Sequence, residues 1–484
     1  MTKPDTRSAR LLATLRDGGV MTGREELELV IRLAVPGALA QISYILMQYI
    51  DASMVGHLGA NASAAVGLVS TSLWLLYGIG GSIIMGFSVQ TAQSVGANDF
   101  EAARSLFRQA STTVIVLTTL LALAGASIHE RLPGWLGGAP EIIPDASVYF
   151  LFMTAFLPVT FLGWLAGAML RATGDMKTPS FYGVAMCALN VIFNTLFIFP
   201  TREATVLGIT LTIPGAGMGI NGAAVGSGLA ELLTALAMMR LLWTKSPMLR
   251  LAGTRGSFLP RLATLRRCVR IAAPVAAERV MMTGAQIVST IIVAPLGIVA
   301  IAAHTLAITA ESLCYMPGYG IGEAASTLVG QSVGARRPDV AKRLAWKCVA
   351  AGMAVMSVMG VVLWFAAPAL MGIMTEVPEV IALGTSVLRI EAWAEPMFAA
   401  AIVCYSAFVG TGDTIIPSLT NLSTMWLVRL TLAWALAPLW GLAGVWSAMC
   451  AELIVRGSIF LARMRSGAWL KRAESRSTRA GGSD

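Results

Sequence analysis

Apolar and polar residues alternate along this chain in long blocks, and twelve apolar blocks stand out. About 20 apolar residues suffice for a helix to cross the roughly 30 Å hydrocarbon core of a bilayer. The sequence lacks the ten-residue alternation of a membrane β-barrel. The blocks lie near residues 31–55, 64–94, 105–128, 145–170, 179–199, 218–243, 266–295, 300–330, 344–366, 381–409, 417–437 and 441–464. The pattern therefore predicts an all-α polytopic membrane protein with twelve transmembrane helices.

The composition agrees with a membrane protein and narrows the chemistry. The chain is 56% hydrophobic and 13% charged, with a mean hydropathy of +0.72, which excludes a soluble domain of 484 residues. Its six cysteines lie apart without a Cys-x-x-Cys pair, so we expect no metal site, no disulfide framework and no cofactor. Because no group of His, Asp, Glu and Ser has catalytic spacing, the sequence does not indicate an enzyme.

Lysine and arginine are unevenly distributed across the predicted membrane. With both termini on one side, the tails, loops and helix ends on that side hold 30 of the 35 basic residues, and the opposite loops hold two, Arg131 and Arg202. Positive charge is enriched on the cytoplasmic side of membrane proteins. We therefore predict a multi-pass inner (plasma) membrane protein with both termini cytoplasmic. The same distribution explains the net charge of +9 without a nucleic-acid partner.

The second half of the chain repeats the first at a constant spacing, which we call the repeat offset and which equals the separation of Arg32 from Arg270. Six helices per repeat would insert both halves in the same orientation, so we expect two parallel six-helix repeats around a central cleft. About sixteen residues, 201–216, have no counterpart and are expected to form an outer loop. The matched motifs are Arg32-Leu-Ala-Val-Pro36 with Arg270-Ile-Ala-Ala-Pro274, Gln93-Ser-Val-Gly-Ala97 with Gln331-Ser-Val-Gly-Ala335, and Thr173-Gly-Asp175 with Thr411-Gly-Asp413.

These patterns divide the chain into five regions. We predict a cytoplasmic tail at 1–30, a six-helix bundle at 31–243, a cytoplasmic linker at 244–265, a second bundle at 266–464 and a cytoplasmic tail at 465–484. The repeated cytoplasmic motifs are interpreted as helix ends and turns. Pro36 and Pro274 are expected to begin corresponding helices, whereas Pro158, Pro317 and Pro396 are expected to kink helix interiors.

One acid, Asp51, lies near the end of the first apolar block. An ionisable side chain inside a membrane helix is costly and is by default a functional candidate. The alternative is an acid wetted at the outer interface. The counterpart of Asp51 in the second repeat is Ser289, so the fold itself does not require a carboxylate at this position.

The segment Ile50-Asp51-Ala-Ser-Met-Val-Gly56, the paired Thr-Gly-Asp loops and the loop from Gly96 to Arg104 together resemble the multidrug and toxic compound extrusion (MATE) transporters. The resemblance covers residues 30 to about 465 and is closer to the DinF-like branch. It implies secondary active multidrug efflux by alternating access, in which amphipathic, often cationic compounds leave the cell against inward protons or, as the second choice, sodium. We expect a monomer in the lipid bilayer.

The resemblance also indicates which residues couple transport to the ion. In the DinF-like branch the fifth helix often carries Asn and Asp four residues apart, and here these positions hold Asn190 and Asn194. An amide does not titrate, so a single carboxylate with two neutral partners favours proton coupling by Asp51, Asn190 and Asn194. The alternative for the two asparagines is hydrogen bonding between helices.

The C-terminal half holds a second group of candidates, since the other branch of the family carries acids in helices seven and ten. One interpretation is a second proton or substrate site, and the alternative is an ion-pair network that also includes Arg279 and Arg389. Glu231 and Glu452, in helices six and twelve, are interpreted as corresponding architectural residues. The candidates for the second site are Glu278, Glu311, Glu391, Glu395 and Arg429.

Flexible, polarisable methionine suits a surface that repacks around different molecules. On this basis the candidates for the substrate cavity are Tyr44, Met47, Met54, Tyr77, Met281, Met282, Met316 and Met397. A second functional hypothesis is a flippase for a lipid-linked saccharide from the same superfamily. Such flippases tend to have more helices and a cationic cavity. A third is a membrane enzyme or channel, for which we find neither catalytic spacing nor a re-entrant filter motif.

Overall fold

The computed structural model describes residues 7–206 and 209–470, most of which are helical. The α-helices are α1 Arg7–Arg16, α2 Gly23–Gly56, α3 Ala60–Gly96, α4 Phe100–Ile128, α5 Leu132–Trp135, α6 Ile143–Ala155, α7 Leu157–Ala172, α8 Lys177–Ile198, α9 Ile220–Thr244, α10 Leu262–Val293, α11 Ile298–Gly334, α12 Pro338–Met374, α13 Pro378–Glu391, α14 Glu395–Gly410, α15 Ile415–Ser423 and α16 Leu430–Ser466. A 3₁₀ turn, Ala294–Leu296, follows α10, and a π-helical segment, Thr424–Arg429, joins α15 to α16.

The helices of the described chain make twelve membrane spans, as predicted. Eight single helices are long and apolar enough to cross a bilayer: α2, α3, α4 and α8 to α12. Two further spans are broken helices, α6 with α7 bent by 44° and α13 with α14 bent by 59°. The last apolar helix runs for 52 residues, from Ile415 to Ser466. At 1.5 Å per residue it would be about 78 Å long, so its break at Gly441 must separate two spans.

Glycines in a left-handed conformation start the last span of each half. Gly219 precedes α9 with φ 59° and ψ −134°, and Gly441 interrupts α16 with φ 59° and ψ −138°. A side chain is disfavoured at such a φ because its Cβ would crowd the backbone. The separation of the two glycines is shorter than the repeat offset, because the unmatched segment lies only in the first half. This pair therefore fixes the register of the repeat beyond that segment.

The prolines follow the predictions in part. Pro158 and Pro396 lie at the starts of α7 and α14, at the two bends, and Pro317 lies inside α11. Pro36 and Pro274 were expected to begin helices, and this prediction is wrong. Both lie well inside α2 and α10. The starts of α2 and α10 were predicted too late in the sequence because the polar turns that precede these prolines are also helical. An apolar pattern does not reveal polar helical turns.

The segment before the first span is helical rather than an irregular tail. Thr22 caps α2 in a capping box, in which the Glu25 amide donates to the Thr22 hydroxyl at 3.3 Å and the Thr22 amide donates to the Glu25 carboxylate at 2.9 Å. The helix α1 buries Leu11, Leu12 and Leu15, and it packs on α2 and α11. The N-terminal segment therefore contacts both halves of the molecule.

The unmatched segment of the first half, which we expected to form an outer loop, is a β-hairpin that connects α8 to α9. Strand β1, Pro200–Val206, pairs in antiparallel fashion with strand β2, Ile209–Ala216. The ladder runs from Pro200 opposite Ala216 to Val206 opposite Ile209, with one irregularity between Pro200 and Arg202. The segment is rich in Thr, Ile and Val, and β-branched residues favour strands.

The two halves pack on each other through pseudo-symmetric pairs of helices. The contact between α2 and α11 is repeated as the contact between α10 and α3. At one end of the interface the backbones approach closely, because a methyl group at Gly96 would overlap the carbonyl of Gln331, and one at Gly334 would overlap the carbonyl of Gln93. These four residues are related by the repeat offset. An even number of spans places this end on the side of both chain ends, which we call the terminal side.

Candidate functional site

A central cavity of about 770 Å³ lies between the two halves. Its wall is built from α2, α3, α7, α8 and α9 of the first half and α10, α11 and α14 of the second. Of the eight predicted cavity residues, Tyr44 and Tyr77 line it. The methionines that line it are Met85, Met186 and Met238 instead.

The other predicted cavity methionines lie elsewhere in the described chain. Met47 is buried at 8% exposure, Met54 packs in an apolar cluster of the first half, and Met282 packs near Trp426. Met281 is 46% exposed, and neither Met316 nor Met397 lines the cavity. Residue type alone was a poor guide, because methionine fills helix packing and lipid-facing positions as readily as a cavity wall.

Four charged residues that we did not assign to the cavity line it. Arg171 and Glu323, from opposite halves, form an ion pair at 3.5 Å. Arg279, expected in an ion-pair network, faces the cavity from α10, and Glu231 faces it from α9. The Glu231 carboxylate accepts a hydrogen bond from the Thr160 hydroxyl.

Glu231 and Glu452 are not corresponding residues, which corrects our interpretation of this pair. The register set by Gly219 and Gly441 places Leu453 opposite Glu231, one position after Glu452. One residue turns a helix by about 100°, so the two acids point in different directions. Glu452 is fully buried and paired with Arg456 at 3.1 Å, whereas Glu231 faces the cavity.

The structure brings Asp51 together with Asn190 and Asn194. The Asn194 amide nitrogen donates to the Asp51 carboxylate at 2.8 Å, and that of Asn190 donates at 3.4 Å. Asn190 and Asn194 are 1% and 0% exposed, and Asp51 is partly buried. Two residues one helical turn apart on α8 thus hold one acid of α2.

Two residues of α9 that the sequence did not single out complete this cluster. Asn190 Nδ2 also donates to the Ser227 hydroxyl at 2.8 Å, and Asn194 Nδ2 also donates to Asn190 Oδ1 at 3.1 Å. Gly226 lets α9 approach, because a methyl group at this position would overlap the Asn194 side-chain oxygen. Asp51 is not among the residues that line the central cavity.

Glu278 is separate from the other C-terminal acids. It is 7% exposed and accepts hydrogen bonds from the Tyr405 hydroxyl at 2.8 Å and from the Asn421 amide at 2.6 Å. Arg389 is also apart, since it donates to the Trp364 carbonyl at 3.2 Å and its guanidinium lies 5.7 Å from the centre of the Trp364 ring. The ion-pair network that included these residues is therefore wrong.

Glu311, Glu391 and Glu395 remain as a buried acidic cluster. They are 5%, 0% and 0% exposed, and within the described residues the carboxylate oxygens of Glu391 have no hydrogen-bond partner, whereas Glu395 interacts with the Cys314 thiol. Arg429 interacts electrostatically with Glu452 and then with Glu311 and Glu391, and it forms no ion pair within 4.0 Å in the described chain. Its guanidinium contacts Met425 and Met449. One guanidinium is thus shared between the acidic cluster and Glu452.

Hydrogen bonds join the two halves on the terminal side of the molecule. Gln93 Nε2 donates across the halves to the Gly410 carbonyl at 3.1 Å, and Gln331 Nε2 donates to the Ala172 carbonyl at 2.8 Å. Both donors and both acceptors are related by the repeat offset. We call these two bonds the glutamine seal. The repeated motifs that we interpreted as helix ends and turns therefore also join the halves.

Comparison with known proteins agrees with this architecture. A family model described as MatE matches residues 36–196 and again residues 274–435, and the starts of the two matches are related by the repeat offset. A probable multidrug resistance protein NorM of Thermotoga maritima is 26% identical over 457 residues, with 92% of this chain and 93% of the relative covered. Another protein of that name from Pseudomonas aeruginosa is 28% identical over 439 residues, with 87% and 85% covered.

Solved structures share the fold. A structure titled as an outward-facing conformation of a multidrug resistance MATE family transporter superposes with a TM-score of 0.85 at 20% identity, covering 97% of this chain and all of that chain. A MATE in complex with MaL6 also gives a TM-score of 0.85, at 19% identity, covering 96% of this chain and 100% of that one. With the two family matches spanning most of both repeats, the chain belongs to the MatE family of multi-pass membrane transporters.

Proposed function

We propose that this protein is a monomeric multidrug exporter of the inner membrane that moves amphipathic, often cationic compounds out of the cell against inward protons. Membership of the MatE family and the NorM names of its relatives support export. The observation that carries the coupling proposal is the placement of Asp51 against Asn190 and Asn194. A coupling acid in the N-terminal half is also the reason to place the chain in the DinF-like branch.

The hydrogen bonds at Asp51 favour a proton over sodium. A sodium site needs several oxygen ligands, preferably anionic ones. Here both asparagines direct N–H donors at the single carboxylate, and Asn190 Oδ1 is already an acceptor for Asn194. The arrangement stabilises a carboxylate by donation, and besides that carboxylate it offers a cation the Asn194 Oδ1 atom, which has no hydrogen-bond partner among the described residues. These ligands carry a single negative charge. A proton, by contrast, needs one carboxylate oxygen.

The glutamine seal indicates which state of the alternating-access cycle this conformation represents. With the terminal side cytoplasmic, the cavity is closed toward the cytoplasm by the glutamine seal. Protonation of Asp51 from the outside removes the one charge of its cluster and weakens the hold on a bound cation. Return to the inward-facing state then exposes Asp51 for deprotonation, and the next cation binds. The coupling is the free energy by which proton and cation weaken each other's binding.

Replacement of Asp51 by Asn tests the coupling. Asp51→Asn keeps the size of the side chain and removes its titration, so proton-driven efflux should be lost while expression and thermal stability stay close to wild type. Efflux of a fluorescent organic cation from proteoliposomes under an imposed pH gradient measures it. The control is Ser289→Ala, at the equivalent buried position of the second repeat, which should transport normally. Wild-type efflux by Asp51→Asn would contradict the proposal.

The acids of the C-terminal half are proposed as a second ionic site rather than as part of the Asp51 cluster. Glu311, Glu391 and Glu395 carry up to three negative charges, and Arg429, which also interacts with Glu452, balances at most one of them. Buried charges must be compensated, so the cluster must take up protons or a cation to be neutral. Glu391→Gln should alter the pH dependence of transport, and Asp51→Asn should still abolish proton-driven efflux in that background.

The central cavity carries charges of both signs. This does not favour the flippase, for which a cationic cavity is expected.

A further inference from the structure

The charges of the central cavity are not all matched within the protein. Arg171 and Glu323 form a pair at 3.5 Å, which leaves Glu231 on the first half and Arg279 on the second. In the described part of the chain neither of these two has an oppositely charged side chain within 4.0 Å, and Glu231 interacts electrostatically with Asp51, another acid. The Glu231 carboxylate is therefore a negative charge on the cavity wall with no cationic side chain paired to it in the described chain.

Aromatic side chains surround the part of the cavity that Glu231 faces. Tyr44 and Tyr77 interact electrostatically with its carboxylate. Tyr77 lies 6.2 Å from Trp74 and 5.7 Å from Trp164 between ring centres, and all three rings line the cavity. Aromatic rings attract organic cations through their faces and bind flat apolar bodies by stacking. A carboxylate beside such rings is the chemistry that recognises an aromatic compound with one positive charge.

Asp51 does not occupy this place. It lies outside the cavity wall, held by the two asparagines, whereas Glu231 lies on the wall and is within electrostatic range of Asp51. A bound cation and a proton would then occupy two different acids that interact through space. This arrangement separates the residue that binds the compound from the residue that takes up the proton.

We propose that Glu231 is the carboxylate that binds the positive group of the transported compound, and that the Tyr44, Tyr77 and Trp164 wall binds its aromatic body. The proposal rests on the proposed export function and names its substrate class, an aromatic amphipath with a single positive charge. The Thr160 hydroxyl orients the carboxylate by donating to it. The cavity volume of about 770 Å³ falls within the 300–1,000 Å³ of ligand pockets for drug-sized molecules.

Binding of two matched probes to the purified full-length protein tests this site. The first is biphenylmethyl-trimethylammonium, and the second is its neutral analogue in which carbon replaces the nitrogen. In mildly alkaline buffer, Glu231→Gln should weaken binding of the ammonium probe by roughly tenfold or more, because a contact to a charged group contributes about 1.5–3 kcal/mol. Binding of the neutral probe should not change. Quenching of tryptophan fluorescence by each probe provides the measurement.

Arg279→Gln is the matched control, since it removes the opposite charge from the same cavity. It should leave ammonium binding unchanged or make it tighter. Equal loss of both probes in Glu231→Gln, wild-type affinity of that variant for the ammonium, or an equal loss in Arg279→Gln would overturn the proposal. Asp51→Asn distinguishes this site from the coupling proposal, because it should still bind the ammonium probe while losing proton-driven efflux. If Asp51→Asn instead transports normally, coupling at Asp51 fails and the Glu231 site is judged by binding alone.

Discussion

At the residue scale, Asp51 is held by two amides of α8, and α8 is joined to α9 through Ser227 and the close approach at Gly226. A lone carboxylate or a pair of asparagines four residues apart stands out in an apolar helix, and that spacing places Asn190 and Asn194 on one face. Ser227 and Gly226 belong to a helix that is distant in sequence, and small residues are common in every span. Glu231 was misjudged because an error of one residue in the repeat alignment changes the direction of a helical side chain by about 100°.

Gly226 gives a prediction about this cluster that does not touch its polar groups. Gly226→Ala would push Asn194 away from Asp51, because the added methyl group overlaps the Asn194 side-chain oxygen. We expect a loss of stability of about 1–3 kcal/mol from overpacking and a loss of proton-driven efflux larger than the loss of folded protein. Thermal unfolding and efflux per folded molecule measure the two effects. Gly67→Ala, where nothing lies within 4 Å of the added methyl group, is the control and should retain both.

At the element scale, apolar periodicity was enough to find every span, and the sharp bends followed from Pro158 and Pro396. The helix ends were harder, because α1 and the first turns of α2 are polar and form helix through capping and packing. Helix α1 contacts both halves of the molecule. It packs on α2 of the first half and on α11 of the second, and its Leu12 packs against Gly174 in the first half. Arg337 of the second half donates to the Gly19 carbonyl, just beyond α1, at 2.7 Å.

The glutamine seal predicts how the terminal side opens. Each cross-half bond contributes about 1 kcal/mol, so Gln93→Leu with Gln331→Leu should lower the stability of this closed state by about 2 kcal/mol relative to the open one. The expected result is a population shift of roughly 30-fold. Spin labels at the terminal-side ends of α3 and α11 would show it as a longer distance by pulsed electron resonance. Gln90→Leu is the matched control, since Gln90 donates to Gly86 within its own helix at 3.1 Å and should leave the distances unchanged. Unchanged distances in the double variant would mean that backbone packing at Gly96 and Gly334 alone closes this side.

At the scale of the whole molecule, the two halves share a backbone plan and differ in their charges. The first half holds the Asp51 carboxylate against two neutral amides, whereas the second half holds the acidic cluster of Glu311, Glu391 and Glu395 near Arg429. The constant repeat offset reveals the shared plan from the amino-acid sequence alone. It could not reveal which charged groups meet, because that depends on helix rotation and on contacts between distant helices.

This difference between the halves predicts whether transport moves net charge across the membrane. If Asp51 alone couples, one proton enters for each monovalent cation exported, so no net charge crosses the membrane. A membrane potential should then fail to drive efflux without a pH gradient, although moving one net charge through 100 mV would release about 2.3 kcal/mol. Proteoliposomes with a potassium diffusion potential and equal pH on both sides measure this directly, with an imposed pH gradient as the positive control. Efflux driven by the potential alone would mean that more than one proton enters per cycle. In that case Glu391→Gln should abolish the potential-driven part and leave the part driven by the pH gradient, which would assign the additional proton to the acidic cluster of the second half.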